Sequence, residues 1–167
     1  MPPPRSPPHP PAPASLGPVL DFMRLLWAVD HVLTSRSKCM HATLGVTGPQ
    51  RLVVRIVGQR PGIAAGELAT ILHVHPSTLT GVLRRLVTRR VLSRAAAPDD
   101  SRRASLRLTK RGIALDAVMA GTVEAGVRTA IAGLPPRDVA AAARVLQRLA
   151  RVLGESTTAA RRTSRSP

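Results

Sequence analysis

The stretch DDSRRASLRLTKRG, residues 99–112, sets two carboxylates beside two arginines, then alternates apolar and polar residues, and closes on Thr-Lys-Arg-Gly. Alternation of period two after a charged turn reads as one strand of a hairpin whose tip carries cations. Like charges crowded on a solvated tip repel one another, whereas a tip that meets a polyanion gains from each of them. Arg94, Arg103 and Arg107 are candidate phosphate contacts of this hairpin. Asp100 orients an arginine and does not touch phosphate, because a carboxylate beside a phosphate is repelled; a solvated surface pair of Asp100 and Arg102 is the bland alternative.

A second constellation lies just upstream, in AAGELATILHVHPSTLTGVLRRLVTRR, residues 64–90. Apolar spacing predicts two short helices, about 64–72 and 76–90, with a core of Leu68, Ala69, Leu72, Val74, Leu79, Val82, Leu83 and Leu86. Ser77, Thr78, Thr80, Gly81, Arg84 and Arg85 are left facing outward. Small polar residues followed by arginines suit a helix that enters a major groove and divides its contacts between base edges and backbone. An ordinary surface helix hairpin has the same pattern; what distinguishes this one is the basic hairpin directly after it. A helix pair followed by such a hairpin is a winged helix, with the helix in the major groove and the wing tip beside it.

Other reactive side chains suggest less. His73 and His75 are half a metal site, but no neighbouring carboxylate or cysteine completes it, so a turn and a cap are the expected roles and no cofactor or metal is expected. Cys39, near the end of the first helix with Lys38 and His41 close by, is either a redox-sensing thiol or a buried inert cysteine, and the inert reading is preferred. Asp30 and His31 beside Trp27 either line an effector pocket or form a surface or interface pair. Gly-rich phosphate loops, paired carboxylates at productive spacing and nucleophile elbows are missing, so an enzyme is not expected.

Composition narrows the class. The 167 residues carry a formal net charge of +16, and only Lys38 and Lys110 are lysines. Arginine is a planar, permanently charged donor suited to phosphate and guanine edges, although a GC-rich genome also raises its frequency. Placement is more telling than amount: residues 76–112 hold ten Lys/Arg against two Asp. That is the footprint of a nucleic-acid binder. Phe22 and Trp27 are the only aromatics, too few for the stacking platforms of single-strand or RNA recognition, so double-stranded DNA is the expected partner. A single cysteine excludes an internal disulfide, and no apolar run spans a bilayer. A cytoplasmic protein is expected.

The elements that position these residues are mostly helical. Residues 1–15 read as a disordered Pro-rich leader and 155–167 as a disordered basic tail, leaving 16–154 as the folded part and 47–112 as its DNA-binding portion. Gly17-Pro18 opens a first helix, apolar nearly all round, that runs to about Met40. Thr47 and Gln50 form a capping box for a second helix with Leu52, Val53, Ile56 and Val57 on one face. After Thr109, residues 110–134 read as one long helix and the stretch from Pro135 as another, striped by Val139, Ala143, Leu146, Leu149 or Ala150, and Leu153. The first helix and these last two have more apolar surface than one small winged domain covers, which predicts a homodimer interface; a helical substrate-binding domain is the alternative.

With these elements in place the sequence resembles the MarR family of bacterial transcriptional regulators over about residues 18–153. LGVTGPQ resembles the start of the family's second helix, GELATILHVHPSTLTGVLRRL its helix-turn-helix, and DDSRRASLRLTKRG its wing, with Asp100, Arg102, Leu106, Leu108, Thr109 and Gly112 in the wing pattern. The resemblance implies a mainly α fold with a small β-hairpin: a winged helix-turn-helix with N- and C-terminal dimerisation helices. It implies a homodimeric, ligand-responsive regulator on a near-palindromic operator that represses, or less often activates, nearby genes, with Arg102 in the minor groove and a small-molecule pocket between the dimerisation helices and the winged domain. A sequence-nonspecific architectural DNA-binding protein and a redox regulator using Cys39 are the alternatives. Ala64, His73, His75 and Arg90 stand where the family usually has a polar cap, Gly, a Ser or Thr cap, and Gly.

Overall fold

The computed structural model describes residues 15–97 and 100–163, with side chains described over 15–95 and 105–154. The leader expected at 1–15 therefore lies almost wholly outside the described residues. Element order is α1 (Pro18–Leu44), α2 (Gly48–Gln59), β1 (Ile63–Ala64), α3 (Ala65–Ile71), α4 (Pro76–Thr88), β2 (Leu92–Ala97), β3 (Asp100–Leu108), α5 (Lys110–Ala117), α6 (Val123–Ile131) and α7 (Pro136–Thr163). Helix α7 thus continues past residue 154, where the folded part was expected to end.

Local chemistry explains most boundaries. Pro18 occupies the first turn of α1, where its missing amide costs nothing, and Gly45 ends the helix in the left-handed region. Thr47 and Gln50 exchange side-chain and backbone hydrogen bonds at the start of α2, forming the expected capping box. Helix α3 begins at Ala65 after an N-cap, Ala64, whose side chain makes no cap hydrogen bond. Thr109 accepts from the Gly112 amide to cap α5.

The core sits under the winged portion. Val53, Val54 and Val57 of α2 pack with Leu68, Leu79, Leu83 and Leu86 of the helix pair and with Leu92 and Leu106 of the hairpin. The three strands are antiparallel in the order β1-β3-β2. The two-residue β1, too short to leave a periodic signature, pairs Ile63 with Leu106 and Ala64 with Ser105, so it pins the base of the wing to the turn before α3.

Three expectations are corrected. In α2 the buried side is Gln50, Arg51, Val53, Val54 and Val57, while Leu52 is exposed. Val74 is 38% exposed, because it lies in the turn between α3 and α4 rather than on either helix. Residues 110–134 form two helices. The chain leaves helix at Val118, takes a positive φ at Gly121, and restarts at Thr122, whose hydroxyl accepts from the Ala125 amide. A capping threonine after a glycine is a stop–start signal that the apolar periodicity masked.

Candidate nucleic-acid interface

Helix α4 is held by its apolar side: Leu79, Leu83 and Leu86 are buried. The 100° step between helical residues then leaves Ser77, Thr78, Thr80, Arg84 and Arg85 exposed, with Gly81 half-buried between them. The structure brings all six onto one outward strip. Thr80 donates its hydroxyl to the Pro76 carbonyl (2.9 Å). Outward it therefore offers a methyl and a lone pair, which suit a thymine methyl or an exocyclic amine.

His75 is the N-cap of α4. Its Nδ1 accepts from the Ser77 amide at 3.3 Å and lies 2.8 Å from Ser77 Oγ. That role needs an unprotonated Nδ1 and ties Ser77 to the start of the helix. His73 lies in the preceding turn with φ +52°, and Arg90 follows the helix with φ +55°. Both are in the left-handed region where glycine is the unstrained choice. The two histidines serve a turn and a cap.

At the C-terminal end of α4, Arg89 donates from Nη1 to the Gly45 carbonyl at the end of α1. This arginine is committed to holding α4 against α1.

The wing follows directly. Partners run regularly from Leu92 opposite Leu108 to Ala96 opposite Ala104; the next pair is Ala97 with Asp100. Residues 101–103, with Arg102 and Arg103 among them, thus fall between consecutive partners of β2 as a bulge in β3. The side chains of Asp100, Arg102 and Arg103 lie outside the described residues. Arg94 is opposite Leu106, and Arg107 is opposite Ser93 one step away. The pleat therefore sends Arg94 and Arg107, both exposed, to opposite faces of the hairpin. They cannot serve the same phosphate.

The remaining candidates stand apart from this surface, on α1. Trp27 is 80% exposed, and Asp30 and His31 are exposed beside it. In a single chain all three face solvent. A surface pocket of about 410 Å³ lies elsewhere, between the end of α5 and α6, lined by Met119, Ala120, Ala125, Arg128 and Thr129. Cys39 is exposed, contrary to the preferred reading of a buried thiol. Its neighbour Met40, about 100° further round α1, is fully buried. No helix among the described residues is long and apolar enough to cross a membrane.

A cluster that sequence reading missed joins the winged portion to the later helices. Arg51, 2% exposed, donates from Nη1 to the Leu115 carbonyl (2.5 Å) and from Nη2 to those of Asp116 (3.0 Å) and Val118 (2.6 Å). Arg55, one turn on, reaches Asp116 Oδ1 and Glu124 Oε2, each at 2.9 Å. Burial holds the Arg51 guanidinium below its ordinary pKa, opposed by Asp116 and Glu124, while the hydrogen bond to Asp116 raises that of Arg55. The one signal in the sequence was Arg51 itself, directly beside the capping box on a face otherwise apolar.

Comparison with known proteins agrees with this geometry. The profile of the MarR family matches residues 46–104, which span α2 to the wing. The HTH-type transcriptional repressor Rv2887 of Mycobacterium tuberculosis (strain ATCC 25618 / H37Rv) is 34% identical over 130 residues, covering 78% of this chain and 91% of its own length. The transcription regulator MarR from Oenococcus oeni PSU-1 shares the fold with a TM-score of 0.69 at 22% identity, over 77% of this chain and 98% of that one. The S. aureus MepR–DNA complex gives a TM-score of 0.64 at 19% identity, over 79% and 97%. Fold, helix-turn-helix, wing and a relative of this similarity lead to one conclusion: the chain belongs to the MarR family of winged helix-turn-helix transcriptional regulators.

Proposed function

We propose that this chain is a cytoplasmic repressor that binds a near-palindromic site on double-stranded DNA as a homodimer and releases it when a small molecule binds. One observation carries the reading: the exposed strip of α4, polar at its N-terminal end and basic further on, is followed directly by an antiparallel hairpin whose second strand carries Arg102, Arg103 and Arg107. The repressor name of the mycobacterial relative and the DNA complex of MepR support it. Ser77, Thr78, Thr80, Gly81, Arg84 and Arg85 meet the major groove, Arg94 and Arg103 meet phosphates, and Arg102, oriented by Asp100, enters the minor groove. Trp27, Asp30 and His31 form an effector surface only where a second subunit covers α1, since in one chain all three stand in solvent.

Titrating Arg102→Ala against DNA at several salt concentrations tests the wing. Loss of one cationic contact per subunit lowers the slope of log affinity against log salt by roughly 2 in a dimer, because each contact contributes about 0.9. Preference at the flanks of the site weakens while the central pattern survives, since the minor groove separates mainly A·T from G·C. Thr80→Ala or Arg84→Ala relaxes the half-site instead. An unchanged slope and unchanged flanks in Arg102→Ala place the wing in solvent and remove this part of the reading.

The exposure of Cys39 favours testing oxidant control as a second reading. If a small molecule is the signal, wild type and Cys39→Ser bind DNA alike with and without peroxide. A peroxide-induced loss that the serine variant escapes makes Cys39 the sensor.

A further inference from the structure

The break between α5 and α6 leaves carbonyls at the end of α5 without helical partners, as every helix end does. Here a side chain from another element reaches them: Arg51 of α2 donates at once to those of Asp116 and Val118 and to that of Leu115, which also accepts from the Val118 amide (3.2 Å). Its Nη2 also lies 3.6 Å from Glu124 on α6. Arg55 adds contacts to Asp116 before the break and to Glu124 after it. Two arginines one turn apart therefore grip both sides of the junction. Helix α2 packs on α1 and α5 as well as on α4 and β3, and α6 packs on α1. The junction is one of two places, with the direct α1–α2 contact, where the DNA-reading unit meets the helices whose apolar faces are left uncovered.

We propose that Arg51, assisted by Arg55, is a positioning residue that fixes the angle between the DNA-reading unit and the dimerisation helices, and so sets the half-site spacing that the dimer accepts. This rests on the reading of the chain as a dimeric DNA binder. Stability alone does not explain the cluster. Arg51 Nε is buried without a hydrogen-bond partner, and an apolar side chain of similar volume is often as stabilising as a buried ion pair. An apolar side chain cannot hold three carbonyls at fixed positions; the planar guanidinium fork does. Spacing is sensitive to that angle. Adding 2 bp between half-sites turns one relative to the other by roughly 70° and moves it by about 7 Å, which a rigidly clamped dimer does not follow.

The test uses full-length Arg51→Met and Arg51→Lys. The DNA probes are 30-bp duplexes selected from a random pool by the wild type, remade with the selected spacing and with 1 or 2 bp added. In Arg51→Met the affinity for the selected spacing falls and the penalty for 2 added bp shrinks about tenfold, within the range through which coupling mutations act. Lysine keeps the charge but not the fork, and does not restore the penalty. Hydrogen exchange of the Val118, Thr122 and Ala125 amides speeds up while that of Leu83 and Leu86 in α4 stays unchanged. Glu124→Gln, a near-isosteric change at a 29%-exposed side chain, moves the same readouts less far and serves if Arg51→Met does not fold. The proposal is overturned by an unchanged spacing penalty, by full rescue with lysine, or by exchange rising in α4 as much as at the junction. A wild type that selects no paired half-sites refutes the dimeric reading instead; exchange then decides the clamp, with selective acceleration supporting it and an unchanged junction ending it.

Discussion

His73 and Arg90 hold left-handed backbone at either end of α4, with φ of +52° and +55°. For a residue with a Cβ that conformation costs about 1–2 kcal/mol, and glycine avoids the clash while losing about 0.5–1 kcal/mol more chain entropy on folding. Both His73→Gly and Arg90→Gly are therefore expected to stabilise the protein by about 0.5–1 kcal/mol, read as a raised urea midpoint with an unchanged m-value. Their effects on DNA separate the two residues. His73→Gly leaves affinity as it was, whereas Arg90→Gly weakens binding if its exposed guanidinium meets a phosphate. A lowered midpoint for both variants shows that these side chains have contacts worth more than the strain.

At the scale of elements, the wing's attachment decides how α4 and the hairpin face DNA together. Thr109 hydrogen-bonds through its side chain to the Arg90 and Val91 carbonyls, so the end of β3 is tied to the end of α4. Gly112 follows in the first turn of α5, where an added Cβ lies only 2.2 Å from the Val91 carbonyl oxygen. That atom is backbone and cannot step aside, so Gly112→Ala pushes α5 away from the root of the wing. A loss of about 2 kcal/mol or more is expected, visible as a melting temperature roughly 5 °C lower. An alanine variant that melts like the wild type means that α5 has room to move.

For the whole molecule, the uncovered apolar surface is the main fact. Val19, Leu20, Met23 and Trp27 on α1, Val127 and Ile131 on α6, and Leu146 and Leu153 on α7 are all exposed in the single chain. Apolar patches of this extent on a soluble protein mark an interface. A dimer in the absence of DNA is therefore expected, with Leu146 and Leu149 in the contact. Replacing both by Glu should give monomers that no longer bind DNA specifically, which sedimentation and a DNA titration measure. A wild type that sediments as a monomer at micromolar concentration refutes this architecture.

Local rules were enough for much of this protein. The capping box at Thr47 and Gln50, the proline and glycine at the ends of α1, the threonine before α5, and the alternation through Leu106 and Leu108 each depend on residues a few positions apart, so the sequence determined those elements and the outward strip of α4. The sequence also marked His73, His75 and Arg90 as departures from a familiar pattern, and the backbone angles or the cap give the reason for each. Tertiary structure decided what depends on distant partners. Strand β1 exists because β3 offers it an edge, and Leu52 faces solvent while Arg51 lies on the buried side of α2. Residues 110–134, periodic enough for one helix, break in two where an arginine some sixty-five positions earlier donates to the carbonyls at the break. Helical periodicity reports which side of a segment is apolar; it cannot report that a buried guanidinium will make ending the helix no more costly than continuing it.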